Sequence, residues 1–318
     1  MKIIANRKKF ILLGSMFMIV SAVVVGIMGL KLGIDFTGGS LMEVGYESLP
    51  TKEMVNDKVD SLDIGGYSLR ESGDGYILRT RDLGEEERQL VTEAMTSMDA
   101  GGEVKRFTSI GPVIGEELKD KASWAIAGVV LVIIVYIAFA FSGVRKPVGS
   151  FVYGGITIFA LVHDVLVPTA LMAVLGFLYG LEVNVLFVMA LLAVLGYSVN
   201  DTIVVFDRVR ENLVKYRQEK KTKVKNEYGQ LEEKVEYIFN QKSFTDIVEE
   251  SVQQTILRSI NTSFTTMVAL SALYILGGEV TQTFALILMA GVLAGTYSSI
   301  FLATPLLVWW AEDRKPKA

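Results

Sequence analysis

A carboxylate stands where hydrocarbon is expected. The run Gly196-Tyr197-Ser198-Val199-Asn200-Asp201-Thr202-Ile203-Val204-Val205-Phe206-Asp207-Arg208 carries Asn200, Asp201 and Thr202 inside an otherwise apolar stretch. The trio lies about a turn and a half before charge resumes at Asp207. Charged and amide groups in such a place are expensive and call for a water-filled path, a partner or close helix packing. On a helix Tyr197 and Ser198 fall four and three residues before Asp201, so the spacing predicts one polar seam in which both bond the carboxyl. Hydrocarbon penalises the charged carboxylate and a nearby cation favours it, which is the competition that reversible proton binding requires. The plainer alternative is a packing carboxyl bonded to its neighbours.

Two further places carry polar groups in apolar surroundings. Gln254, Arg258, Thr262 and Thr266 recur every four residues, with Thr255, Ser259, Ser263 and Thr265 beside them. A guanidinium there can pair with a carboxylate on a neighbouring helix as the helices move, or it can snorkel to lipid phosphates while Ser and Thr permit close contact. His163-Asp164 lies in another apolar run, followed by Pro168. Imidazole suits proton transfer, but adjacent helical residues point in different directions, so no ready-made dyad is expected, and a hydrogen-bonded packing role is favoured over a relay. Pro168 is expected to bend its helix. Asp207, Arg208, Arg210 and Glu211 read as a solvated helix end.

The elements that must hold these groups are membrane helices, each needing roughly 20 apolar residues. Six runs qualify: Phe10–Leu30, Trp124–Phe141, Phe151–Tyr179, Val183–Phe206, Ile260–Gly277 and Thr283–Trp310. The first follows Lys2, Arg7, Lys8 and Lys9 but lacks a small-x-small cleavage site, and reads as a retained anchor. Lys and Arg cluster at Arg7–Lys9, Arg145–Lys146, Arg208–Lys225 and Arg314–Lys317 and are absent from Gly180–Glu182 and Gly278–Gln282. Both termini are therefore expected in the cytoplasm, with Trp309 and Trp310 at the inner interface. Lys215–Lys242, dense in both signs of charge, is expected to form a solvated helical hairpin or a flexible loop. Ser243–Gln253 opens with capping-box spacing at Ser243 and Asp246 and is expected to lie on the inner surface as an interfacial helix.

About 90 residues between the first two runs suffice for a small external domain. Their pattern predicts strand Ser40–Tyr46, helix Thr51–Leu62, strands Tyr67–Glu71 and Tyr76–Arg81, helix Glu85–Met98 and strand Glu103–Thr108. This β-α-β-β-α-β order is the ferredoxin-like arrangement. The chain then divides into residues 1–34 (N-terminus and first span), 35–120 (external domain), 121–207 (three spans), 208–258 (cytoplasmic loop with the interfacial helix) and 259–318 (last two spans and C-terminus).

Composition narrows the function. Of 318 residues 51% are hydrophobic and 21% charged, with net charge −4, which favours a polytopic α-helical membrane protein and disfavours disorder and nucleic-acid binding. Without cysteine, and with one histidine, a Cys-ligated zinc is impossible and any metal site weakly supported. No Walker loop, dinucleotide fingerprint or nucleophile elbow points to an enzyme or a cofactor, and the Gly-Gly and Asp-Gly pairs read as turns.

The ordered motifs Gly33-Ile34-Asp35-Phe36-Thr37-Gly38-Gly39-Ser40 and Gly111-Pro112-Val113-Ile114-Gly115-Glu116-Glu117-Leu118 complete a resemblance with the Gly196–Asp201 and Phe206–Asn212 run and the Gln254–Arg258–Thr266 stripe. Along nearly its whole length the chain resembles the SecF family, the smaller half of the bacterial SecD–SecF protein-export complex. The resemblance implies half of an RND-type transporter, six spans with a second half supplied by SecD, in a bacterial or archaeal cytoplasmic membrane. It implies protons as the coupling ion, late assistance to unfolded preproteins leaving SecYEG after SecA has acted, and membrane lipid as surroundings. Proton-path roles map onto Asp201 and Arg258, with Asn200 and Thr202 in support and the remaining acidic partner in SecD. The family motifs map onto Gly33, Asp35, Phe36, Gly38, Gly39, Gly111, Pro112, Gly115, Asp207 and Arg208. The segment Arg217–Lys242 is longer than the family's pattern. A proton-driven small-molecule or lipid exporter and a passive assembly scaffold remain the competing readings; the four ordered motifs favour polypeptide export.

Overall fold

The computed structural model describes residues 2–98, 101–140, 148–216, 218–225, 231–238 and 242–313. Six helices among them are long and apolar enough to cross a membrane. The chain forms two compact units, Met28–Ala127 with Met172–Met189, and Met1–Ile27 with Gly128–Leu171 and Ala190–Ala318. The first crossing helix, α1 (Arg7–Met28), starts earlier than its apolar run because Arg and Lys are good helix formers and its hydrogen bonding continues past the hydrophobic stretch.

In the smaller unit a single helical turn, α2 (Ile34–Thr37), precedes β1 (Gly39–Tyr46), α3 (Lys52–Asp60), β2 (Tyr67–Ser72), β3 (Gly75–Thr80), α4 (Glu85–Thr96) and β4 (Gly102–Ile110). The strands pair antiparallel in the order β2-β3-β1-β4, the expected ferredoxin-like topology. Period-2 alternation turns Met42, Val44 and Tyr46 of β1 and Tyr76 and Leu78 of β3 inward, against Val55 and Val59 of α3 and Val91 and Met95 of α4. Each such buried side chain contributes ~1.5–3 kcal/mol. Thr51 caps α3, its hydroxyl accepting from the Met54 N–H.

The two signature motifs meet in this unit. Gly38 and Gly39 take φ of 72° and 127°, and a Cβ on Gly38 would lie 2.8 Å from Pro112 Cα while one on Gly39 would lie 2.6 Å from the Thr80 carbonyl oxygen. Pro112 opens α5 (Pro112–Ala140), where its missing N–H costs nothing. One turn on, a Cβ on Gly115 would fall 2.7 Å from Gly38 N. A Cβ on Gly111 by contrast would meet Asp82 Oδ2 at an ordinary 3.9 Å, so sterics alone do not demand glycine there. The Gly33 N–H donates to the Val183 carbonyl at 2.8 Å and the Val183 N–H to that of Lys31 at 2.7 Å, a short parallel bridge. Asp35 Oδ2 accepts from the Val185 N–H at 2.8 Å. Arg79 of β3 bonds Glu182, the Leu32 carbonyl and Thr37 Oγ1.

The core of the larger unit includes Ile3, Ile4, Ile133 and Ile137, and after α5 the chain runs through α6 (Ser150–Tyr179), α7 (Val185–Tyr216), α8 (Phe244–Leu276), α9 (Glu279–Tyr297), a π-helical turn (Ser298–Ala303) and α10 (Thr304–Asp313). The last three are one crossing segment. Pro305 has no N–H to close an α-helical bond on the Phe301 carbonyl, and the backbone widens into the π turn just ahead of it. Two expectations are corrected here. Residues Gln218–Lys225 (β5) and Leu231–Ile238 (β6) form an antiparallel hairpin, not a helical one, with Lys220 opposite Glu236 and Lys223 opposite Glu233 in register. Charge density hid the strand-forming Val224, Val235, Tyr237 and Ile238 positions. Nor is Ser243–Gln253 a separate surface helix. It is continuous with the fifth crossing helix, capped by the expected Ser243–Asp246 box, and it buries Ile247, Val248 and Val252. Glu249 holds it to the start of the chain by accepting from the N–H groups of Ile3 (3.0 Å) and Ile4 (2.6 Å). The basic clusters at Arg145–Lys146 and Arg314–Lys317, and Arg217, lie outside the described residues.

Candidate functional site

The helix that carries the carboxylate packs closely against α9 along one face. A Cβ on Gly291 of α9 would lie 2.1 Å from Val194 Cγ2 of α7, and one on Gly295 3.1 Å from Ser198 Cβ, so glycine lets these helices approach. Ser198, Asp201 and Thr202 are thereby buried, Asp201 at 7% exposure. Asp201 Oδ1 accepts from Ser259 Oγ of α8 at 2.6 Å, and its buried Oδ2 has no partner at hydrogen-bonding distance, with the Ser299 hydroxyl standing nearby. Thr202 Oγ1 and Ser299 Oγ of the π turn lie 3.0 Å apart.

The expected single seam on α7 divides among three neighbours. Ser198 donates to Asp164 of α6, and the Tyr197 hydroxyl lies 3.0 Å from that of Ser263 on α8. Neither bonds Asp201. Helical spacing correctly put the groups near one another on α7 but says nothing of which neighbouring helix stands closer to each hydroxyl. Asn200 is exposed, and so are Arg258, Asn261, Thr262 and Thr265 on α8. Among the described residues no ion pair engages Arg258, which lies one residue before Ser259, the Asp201 partner on α8. Thr262 and Thr266 return their hydroxyls to backbone carbonyls one turn earlier, at 3.0 and 2.9 Å. Gln254 accepts from the buried amide of Asn212 at 3.1 Å, and Asn212 also donates to Ser251 at 2.8 Å.

His163 and Asp164 do form a dyad, contrary to expectation: His163 Nδ1 and Asp164 Oδ1 are 2.8 Å apart and both residues are buried. Asp164 Oδ2 accepts from Ser198 and, at 2.6 Å, from Ser298. A ring and a carboxyl one residue apart diverge at Cβ, but two side chains bending toward a common gap can still meet. Pro168 sits inside the uninterrupted α6 and cannot donate the bond that would close on the Asp164 carbonyl. At the far end of α7, Asp207 pairs with Arg210 at 2.6 Å and Arg208 with Glu211 at 2.9 Å, all half-exposed. Such pairs contribute about 0–1 kcal/mol, in keeping with a solvated helix end.

Sequence reading missed Ser298 and Ser299, the hydroxyls that join Asp164 and Thr202 to the sixth crossing helix. The available signal was a Ser-Ser pair six residues before a proline in an apolar run. What the arrangement can do chemically is hold protons. It offers two buried carboxyls, one with an unbonded oxygen, and no metal-ligating cluster among the described residues.

Comparison with known proteins places this geometry in a family. The C-terminal family model of the protein-export membrane proteins SecD and SecF matches residues 90–228 and 228–313, and the SecD/SecF GG motif matches residues 23–48. The chain is 37% identical to the protein translocase subunit SecF of Thermobaculum terrenum, over 97% of this chain and 93% of that one. It is 36% identical to the SecF subunit of Anaerolinea thermophila, over 98% and 94%. Its structure superposes on the crystal structure of SecDF from Thermus thermophilus, a translocon-associated membrane protein, with a TM-score of 0.80 at 27% identity. That match covers 99% of this chain and 39% of the other, so the chain spans well under half of SecDF.

Proposed function

The chain belongs to the SecD/SecF family of protein-export membrane proteins, and on that premise we propose that it uses the proton-motive force, together with SecD, to draw preproteins through SecYEG. It is a multi-pass membrane protein. In this reading it resides in the cytoplasmic membrane with both termini inside, works after SecA has pushed the chain into the channel, and performs no covalent catalysis.

The observation that carries the reading is the Asp201 carboxyl, buried with one oxygen bonded to Ser259 and the other unbonded. A carboxyl so held exchanges a proton without first breaking a full set of bonds. Arg258 supplies the opposing charge, and Thr202 fixes the adjacent turn through Ser299. The exposed Asn200 and Arg258 suit a second transporter half, with SecD bringing the remaining acidic group. One elementary charge moved across 100 mV releases about 2.3 kcal/mol, so a few protons can tip a two-state helix arrangement.

The test is completion of preprotein translocation in inverted vesicles carrying this chain, SecD and SecYEG, after ATP is removed and with the proton gradient imposed or collapsed. Wild type is compared with Asp201→Asn at matched assembly. Completion that needs both the gradient and Asp201 supports the reading; indifference to both overturns it and returns Asp201 to a packing role.

A further inference from the structure

The His163–Asp164 pair is built more heavily than a packing contact needs. Asp164 is fully buried, and its two oxygens receive His163 Nδ1, Ser198 and Ser298 from three separate segments. His163 is 2% exposed, and its Nε2 has no hydrogen-bond partner. A buried polar atom left unbonded is costly, and an apolar ring would pack there without that cost. The ring lies against Tyr297, with centroids 5.9 Å apart, whose hydroxyl donates to the Phe10 carbonyl of α1 at 3.0 Å.

The pair is also joined to the Asp201 region. Ser298 and Ser299 are consecutive in the π turn, and both can donate to the Gly295 carbonyl, at 3.1 and 2.8 Å. Ser298 bonds Asp164; Ser299 bonds Thr202 and neighbours the Asp201 carboxyl. One widened turn therefore touches both carboxyl sites, and π turns inside α-helices occur frequently at functional sites.

We propose that His163–Asp164 is a second proton-holding site whose occupancy is coupled to that of Asp201 through the Ser298–Ser299 turn. The proposal rests on the proton-driven reading of Asp201. The balance is simple. A proton taken up at Nε2 of the neutral ring gives imidazolium beside carboxylate, and passage of the Nδ1 proton to Oδ1 gives a neutral ring protonated at Nε2 beside a carboxylic acid. Either state holds one proton more than the resting pair. The charged and titratable groups that bear on the site are Asp164 on α6, Asp201 on α7 and Tyr297 on α9, while Arg258 on α8 acts on Asp201. The first helix contributes only the Phe10 carbonyl, through Tyr297.

Because the chain has one histidine, nitrogen-15 labelling of histidine gives the resonances of this ring alone. In the full chain reconstituted in lipid nanodiscs, the Nδ1 and Nε2 resonances are expected to respond to pH as the site takes up its proton. Asp201→Asn is expected to move that response, as coupled sites require, and Ser299→Ala to move it as well. In the vesicle assay His163→Gln should lose gradient-driven completion several-fold at matched assembly. Resonances that do not respond to pH, a response unmoved in both variants, or full completion by His163→Gln would each overturn the proposal. If Asp201→Asn abolishes completion while the histidine stays silent, this proposal alone fails. If completion ignores Asp201 while the histidine titrates with it, the proton-export reading fails.

Discussion

Asp35 reaches 150 residues along the chain to accept a 2.8 Å hydrogen bond from the Val185 N–H, at the first residue of α7. Free N–H groups at a helix start favour a negative partner, and Asn184 satisfies a second one by accepting from Phe187 N–H at 3.0 Å. Asp35→Ala should therefore cost about 1 kcal/mol, and Asp35→Asn less, because the amide oxygen still accepts. Thermal unfolding of the purified chain in detergent checks the order. Equal loss in both variants would show that charge, not the bond to Val185, sets the effect.

The external domain should weaken at high pH through its buried tyrosines. Burial, reinforced by neighbouring Tyr76, pushes the Tyr46 phenol up to about 12, and burial also raises that of Tyr76, with Glu71 and Glu53 adding to it. The Tyr46 hydroxyl donates to the Met95 carbonyl at 2.9 Å and that of Tyr76 to the Pro50 carbonyl at 2.8 Å. The folded domain holds these protons after an unfolded one has released them. Their stabilisation is thus full below about pH 10 and lost as pH rises toward 12. Subtilisin cleavage within residues 39–110 should accelerate across that window in the full chain, and Tyr46→Phe should flatten the rise. A rate that climbs equally in Tyr46→Phe would remove Tyr46 from the account.

Local order was legible in the sequence wherever one pattern dominated. Alternation in Ser40–Tyr46 and Tyr76–Arg81 gave the strands within a residue or two, and the Ser243–Asp246 spacing gave a capping box that is present. The hidden part was partner choice. Tyr197 and Ser198 lie where helical spacing put them, yet they bond Ser263 and Asp164, because interhelical distances come from glycine contacts such as Gly291 on Val194. Periodicity along one helix cannot register those contacts. The β5–β6 hairpin was hidden differently, since alternating Lys and Glu serve a helix face and a strand equally well.

Close approach at Gly291 should be measurable as strain. A Cβ there meets Val194 Cγ2 at 2.1 Å and Cγ1 at 2.8 Å, and Val194 is 1% exposed, with nowhere to turn. Gly291→Ala is expected to cost about 1–3 kcal/mol by overpacking. Val194→Ala removes the obstructing methyls, so the double variant should recover part of the loss, giving a coupling of about 0.5–3 kcal/mol. Unfolding of the four proteins in detergent checks this; strictly additive losses would mean that the helices separate instead of clashing.

The Ser259 hydroxyl should matter more to the proton step than to assembly. It is the one hydrogen-bond donor to Asp201 at normal distance among the described residues, at 2.6 Å, and it is fully buried. A hydrogen bond to a charged group is worth about 1.5–3 kcal/mol, and Ser259→Ala takes that bond away from the Asp201 carboxyl. Ser263, one turn along, bonds Tyr197 and Thr296 and leaves Asp201 untouched, which makes Ser263→Ala the control for lost helix contact. Gradient-driven completion of translocation should fall at least several-fold in Ser259→Ala and much less in Ser263→Ala, with both assembling normally. Equal defects would assign the effect to helix packing, because only one of the two hydroxyls touches the carboxyl whose proton does the work.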